Sequence, residues 1–411
     1  MISILLSLGP AFGHVGDVIA GADIVVPPGE EAPLSVEATF GLAVGQPDGT
    51  FDWVCHEAVT EPTALLAPEY DQSDRGEWLA SVSDLKQGRG GHTLFHSPDA
   101  CAWNTVTGLP KGALVTEARF DPGNPDQAFA VTATPGPNGI YVSADGGRSW
   151  TEDLAPQSDT VFHGVRVVDG EVYTSGSNAA GTTGVVWHRD LKGTWTASAP
   201  LAFTGLEGVR LRLLGVTADA VYLNADPLGA DVLYVADRAL TSITKRFSDQ
   251  GEILDLAVAR DGLWLPMDFG NRALRLDGET LEERTLPPSI GAAINRDGEL
   301  VLAELAYLSG PMLSTRTADG TFEPTGYPDD ILGTLDCAAD TEVAMICEPL
   351  WPQLEPRLRG FDDPYVEDSG GVIPPPPETG GCAGCATGQP GASWWLTPGL
   401  LLLAIRRRSR A

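Results

Sequence analysis

The chain is short of positive charge. Its 411 residues hold 26 lysines and arginines against 56 aspartates and glutamates, for a formal charge of −30. Four of the basic residues, Arg406, Arg407, Arg408 and Arg410, crowd the very end. Phosphate binding needs clustered Lys and Arg, so nucleic acid is excluded as a partner. The acidity reads as a solvated, self-repelling surface, and no dense ligand loop supports a cation site. Helical patterning is also missing, because no apolar stripe of helical period lasts more than a turn or two in the body. There is no Walker loop, no dinucleotide fingerprint and no Gly-x-Ser-x-Gly elbow. His92 and His96 flank a strand-like run, Thr93-Leu94-Phe95, but no Glu between them completes a His-Glu-x-x-His pattern. They read as turn or edge histidines. No metal and no cofactor is expected.

What remains is turn-rich and strand-rich. The 48 glycines and 32 prolines punctuate short apolar runs, which is the pattern of many short strands. One stretch shows the unit clearly. Strand-like residues Ala113 to Phe120, Gln127 to Ala133 and Gly139 to Val142 are followed by Ser143-Ala144-Asp145-Gly146-Gly147-Arg148-Ser149-Trp150 and a fourth strand, Thr151 to Leu154. In that octet Ser143 and Asp145 can bond turn N–H groups. Gly147 can supply a positive φ, and Trp150 can fold its ring under the hairpin. Degraded echoes occur at Ser97-Pro98-Asp99-Ala100-Cys101-Ala102-Trp103, at Asp48 to Trp53, at Asp190 to Trp195 and at Thr317 to Phe322. The closing aromatics Trp53, Trp103, Trp150 and Trp195, then Phe247, a faded unit near Glu283, and Phe322, recur at roughly forty to fifty residues, the period of a propeller blade. The fold expected is all-β: a single β-propeller of about seven four-stranded blades, six or eight being the alternatives. Cys337 to Leu350 is expected to supply the strand that completes the ring.

The ends differ from the body. Residues 1–13, with the apolar run Ile2 to Leu8 and Pro10-Ala11-Phe12-Gly13, read as a signal peptide, or else as a buried first strand. The propeller is expected over 14–360. Residues 361–381, holding Pro374 to Pro377, read as a disordered, extended linker. Residues 382–411 hold Cys382 and Cys385, an uncharged segment with Trp394-Trp395 and Leu400 to Leu403, and the terminal arginines. That segment reads as a short hydrophobic membrane helix with its Arg end in the cytoplasm. The even cysteine count in an exported chain suggests disulfides, and Cys337 and Cys347 are close enough for a hairpin to bridge.

Three resemblances follow from these residues. The octet and its strands, Asp121 to Leu154, resemble the Asp-box propellers of the sortilin-like and sialidase-like group. In that group the box is a folding device, which makes Ser143, Asp145, Gly147 and Trp150, with Ser97, Asp99 and Trp103, structural residues. The stretch around Phe51-Asp52-Trp53-Val54-Cys55-His56-Glu57 and the residues near Cys101 look like propellers of myxobacteria. That likeness implies related places for Cys55 and Cys101 in neighbouring blades, and a bond between them. Gly380 to Ala411 resembles the MYXO-CTERM sorting tail, with a plain single-span anchor as the alternative. The resemblance implies processing near Cys382 or Cys385, directed by the hydrophobic segment and by Arg406, Arg407 and Arg408, and display at the cell surface or outer membrane.

Chemistry is weakly indicated. Sialidase action needs convergent arginines for a substrate carboxylate, and this body has few. Glycoside hydrolysis needs two facing carboxylates, which cannot be picked from so many acids by sequence. The reading favoured is a surface-anchored, non-catalytic propeller that binds an envelope or extracellular protein or polysaccharide. The alternative is an extracellular glycoside hydrolase of the Asp-box propeller type.

Overall fold

The computed structural model describes residues 21–27, 33–60, 67–82, 88–134, 137–226, 231–248, 251–268, 272–277, 280–295 and 297–359. Seven antiparallel sheets follow one another along the chain: 21–54, 69–105, 115–157, 160–202, 210–248, 257–285 and 289–326. Each is a blade of a seven-bladed β-propeller. Within a blade the strands are paired in chain order. The first strands pack against those of neighbouring blades, so they form the innermost circle, around the axis.

The period-2 geometry of a strand explains why the blades stack. In blade 3, Ala128 and Ala130 turn towards blade 2, where they share a core with Leu79, Leu94, Phe120 and Trp150. Phe129 and Val131, between and beside them, turn the other way and pack with Phe162, Val165, Val172 and Trp187 of blade 4. Each sheet is therefore buried on both faces. This accounts for apolar runs that alternate in size rather than in polarity.

Ring closure departs from the expectation. The strand that laces the last blade to the first is Ile331–Thr334, which pairs in parallel with Phe51–Val54 as a fifth strand of blade 1. Cys337 to Leu350 forms no strand; it includes a single π-helical turn, Val343–Cys347, and leads into a helix, Trp351–Arg359. The disulfide pairing also departs from expectation. Cys55 is bonded to Cys347 and Cys101 to Cys337, with Cα–Cα distances of 5.4 and 5.6 Å. Neither a Cys337–Cys347 nor a Cys55–Cys101 bond forms. Completing the circle brings residues 335–359 beside blades 1 and 2, and the nearest thiols are then far apart in sequence. Disulfides such as these persist in oxidising compartments.

The two ends of the ring are unequal. In antiparallel blades, connections from strand 2 to 3 and from strand 4 to the next blade emerge on one face; the others emerge on the opposite face. Residues 55–60, 67–68, 88–93, 106–114, 198–209, 251–256 and 305–312 lie on the first face. Among the described residues the second face carries short turns.

Candidate functional site

The short-turn face holds the residues singled out by the repeats. Ser143 Oγ accepts the Gly147 N–H at 2.8 Å, and Asp145 accepts N–H groups of Arg148 and Ser149 at 3.1 and 2.9 Å. Burial alone would raise the Asp145 carboxyl; hydrogen bonds from Ser149, Ser143 and Arg148 outweigh it and hold it down to about 2. Gly147 has φ +88, where an added Cβ would meet Leu79 Cδ2 at 2.8 Å. Trp150 is fully buried and donates its indole N–H to Gly147 O at 2.9 Å. The shorter turn repeats the scheme: Asp99 accepts the N–H of Cys101 at 2.9 Å, Ala100 takes the positive φ of 64° and Trp103 is buried. Asp190 and Asp319 close their turns in the same way. So does Asp237, which accepts the Thr241 N–H at 2.9 Å and which the aromatic spacing had passed over. All of these groups are consumed in holding turns.

The histidines are split. His92 is exposed, whereas His96 is buried in the third strand of blade 2, not at a turn or edge. Burial and the Arg148 guanidinium lower its pKa to about 4, so it is neutral at physiological pH. It borders a cavity of about 260 Å³ with Pro98, Asn104 and Arg148. Among the described residues no group of three or more His, Cys, Asp or Glu side chains could hold a metal ion. Cys382, Cys385, Arg406, Arg407 and Arg408 lie outside the described residues, as do residues 1–13.

The charged site that sequence reasoning missed surrounds the axis. Asp23 of blade 1, Glu69 and Asp71 of blade 2, Glu117 and Arg119 of blade 3 and Arg166 of blade 4 all stand on innermost strands. Asp255 stands just before that of blade 6. Carboxylates outnumber guanidiniums here, and the excess is visible in their protonation. Burial raises Asp71 to about 6 against the pull of Arg119, and burial with Asp23 raises Asp255 to about 7. Glu117 is the exception: burial would raise it, but Arg166 and Arg119 prevail and lower it.

Most of these acids have a shared structural task. The innermost strand of a blade exposes an unpaired edge, and its buried N–H groups need acceptors. Glu37 of blade 1 accepts the Tyr70 N–H of blade 2. Asp71 accepts the Phe120 N–H of blade 3 at 2.7 Å, and Glu117 accepts the Val165 N–H of blade 4 at 2.7 Å. Ser177 Oγ does the same for Leu211 of blade 5 at 2.9 Å. Asp231 serves Ile253 at 2.7 Å, and Asp255 serves Ala292 of blade 7 at 2.8 Å. Blades 1 to 6 thus each clip the next with an acidic or hydroxyl side chain. Glu69 stands apart: it is solvent-exposed and makes no hydrogen bond to the described residues through its carboxyl. The one sequence signal for this site is the acid–base alternation inside an apolar strand, Val115-Thr116-Glu117-Ala118-Arg119-Phe120.

The long-loop face carries apolar groups in water. Leu206 is 43% exposed, and Tyr307 and Leu308, on the short helix Ala306–Ser309, are 41% and 60% exposed. Tyr327 is exposed beside them in sequence order. A recess of about 610 Å³ opens between Thr182 and Glu207, lined by Phe203 and Leu206.

No protein-family model matches the chain, and no curated protein matches it in sequence. Solved structures resemble it at low identity. The GH74 xyloglucanase from Xanthomonas campestris is 15% identical, with 80% of this chain and 55% of that one covered, at a TM-score of 0.49. The GH74 enzyme of Niastella koreensis is 13% identical over 77% of this chain and 55% of its own, at 0.49. A puromycin-hydrolyzing peptidase of Mycobacterium tuberculosis is 14% identical over 78% and 55%, again at 0.49. The chain spans about half the length of these proteins, and the likeness is one of fold alone.

Proposed function

We propose that this protein is an exported bacterial propeller, held at the cell surface by its carboxyl-terminal tail. Its long-loop face serves as a non-catalytic platform for an envelope or extracellular protein or polysaccharide. One observation carries the reading: the long connections gather on one face and bring Leu206, Tyr307 and Leu308 into water there, while the other face, the exposed Leu191 apart, is spent on tight turns. Loops set on a rigid scaffold are where binding residues concentrate, and exposed apolar groups mark contact surfaces. The short turns are Asp-box hairpins in this reading, and the tail is a MYXO-CTERM-type sorting signal. Two intrachain disulfides favour an extracellular setting.

The second reading, an extracellular glycoside hydrolase, rests on Glu69. An exposed carboxyl beside other acids, free of backbone partners, is open to general-acid work. Asp71, Glu117 and Asp255 argue against it, because their oxygens already bond backbone N–H groups of neighbouring blades. A panel of surface polysaccharides and envelope proteins, assayed for retention and for hydrolysis, separates the two readings. Retention lost in a Leu206→Ala/Tyr307→Ala/Leu308→Ala variant supports the platform. Turnover abolished by Glu69→Gln supports the hydrolase. Deleting residues 380–411 should release the protein from cells; a truncated chain that stays attached defeats the tail reading.

A further inference from the structure

The segment after the closing strand is fastened more heavily than ring closure requires. Ile331–Thr334 already completes blade 1. Beyond it, the Leu335 N–H donates to Trp53 O at 3.1 Å, and Cys337 is bonded to Cys101 of blade 2. The Glu342 carboxylate accepts the Trp103 N–H at 3.0 Å and pairs with Arg89 at 3.3 Å. Cys347 is bonded to Cys55 of blade 1, where both residues are fully buried. Trp351 packs on Trp53 with ring centroids 5.8 Å apart, and Leu354 and Leu358 are buried. Arg359 then reaches back to the closing strand, donating to Ile331 O at 3.0 Å and to Asp329 O.

The order of these attachments along the chain has a mechanical meaning. A pull arriving from beyond residue 359 meets the helix first, then Cys347, then Cys337, and only afterwards Ile331–Thr334. The closing strand is four residues long and is held to blade 1 by one parallel ladder. It could be stripped if tension reached it along the backbone. We infer that residues 335–359 are a strain-relief strap: tension from the carboxyl-terminal side crosses Cys347–Cys55 and Cys337–Cys101 into blades 1 and 2 and bypasses the strand that laces the ring. The inference rests on the proposed attachment through the tail, since only a tethered end is pulled.

Single-molecule stretching tests it on the full-length chain, without reference to cells. The ring is fixed through its lysines, of which Lys111, Lys192 and Lys245 lie outside blade 1 and the strap, and the carboxyl end is pulled. In the oxidised protein the first event should release only Glu348 to Arg359, roughly 40 Å at about 3.5 Å per residue, and then stop. After reduction of the folded protein, confirmed by thiol labelling, the first event should lengthen to roughly 100 Å, as 331–359 strips away, and the blades should unravel after it. A Cys55→Ser/Cys347→Ser chain should fall between, stopping at Cys337. Full-length stripping in the oxidised protein, or the same first event before and after reduction, overturns the strap. A strap that behaves as expected in a protein that cells nevertheless do not tether would leave the mechanics intact and defeat only the tail reading.

Discussion

Removing the Glu117 carboxylate should unclip blade 3 from blade 4. Its side chain is 7% exposed, accepts the Val165 N–H at 2.7 Å and the Arg119 Nε–H at 2.8 Å, and pairs with Arg166. Glu117→Ala leaves a buried N–H without an acceptor, which costs about 1–3 kcal/mol. It also leaves Arg166 without its counter-charge and Arg119 with Asp71 alone at 3.7 Å, and breaking a buried pair costs about 3–5 kcal/mol. Arg119 and Arg166 keep 20% and 29% of their side-chain surface in water, so solvent recovers part of that. The net expectation is a loss of about 3 kcal/mol. Glu117→Gln keeps an oxygen for Val165 and should lose about half as much. Glu117→Ala combined with Arg166→Met should cost less than the sum of the separate changes, because the second change removes a charge that the first left stranded. Urea denaturation followed by tryptophan fluorescence measures all four proteins. A loss below about 0.5 kcal/mol for Glu117→Ala, or strict additivity in the double variant, would refute the clip.

Stability should also depend on pH in a recognisable way. Asp255, raised to about 7, and Asp71, raised to about 6, favour the protonated folded state; their penalty is absent near pH 4 and grows to its full size by about pH 7. The melting temperature should therefore rise as pH falls from 8 to about 6.5; below that, His96 and His163, held down to about 4 and about 3 by burial in the folded chain, oppose the gain. Below about pH 4 the sign reverses, because Asp145 and Asp319, held down to about 2 in the folded chain, are then lost as anions. A melting profile flat between about pH 6.5 and 8 contradicts the axial cluster. Trp150→Ala should cost about 3–5 kcal/mol, and Asp145→Ala about 1–2 kcal/mol as a lost turn acceptor, both read as shifts in the denaturation midpoint. Peptide mapping without reductant should recover Cys55 joined to Cys347 and Cys101 joined to Cys337; a Cys337–Cys347 peptide would place the strap wrongly.

Local chemistry was legible in the chain, and chemistry assembled by the ring was not. The aromatic period works because each hairpin covers its own ring, wholly at Trp53, Trp103 and Trp150 and partly at Trp195: Trp53 and Trp195 lie in fourth strands, and Trp103 and Trp150 immediately before them. Even the faded unit is a blade, with Glu283 in the outermost strand Thr280–Thr285 of blade 6; the aromatic is dispensable where that strand is almost wholly exposed. The axial acids could not be read in this way. Asp23, Asp71, Glu117 and Asp255 become neighbours only when blades from both halves of the chain close a circle, and, apart from the Glu117–Arg119 alternation, nothing local separates them from the surface acids. The disulfides failed for the same reason. Hairpin spacing favoured Cys337 with Cys347, whereas the partners are set by where a closed ring returns its last residues. The closing strand, Ile331-Leu332-Gly333-Thr334, is too short to outweigh a longer apolar stretch after it.

The proposed platform is tested most directly by incubating the full-length protein with isolated surface polysaccharides and envelope proteins and following binding and bond cleavage in the same samples. The expected result is saturable retention without new reducing ends or peptide fragments. That retention should weaken at least tenfold in the Leu206→Ala/Tyr307→Ala/Leu308→Ala variant and stay unchanged in Glu69→Gln. Cleavage that disappears with Glu69→Gln, or binding indifferent to the long-loop face, would contradict it.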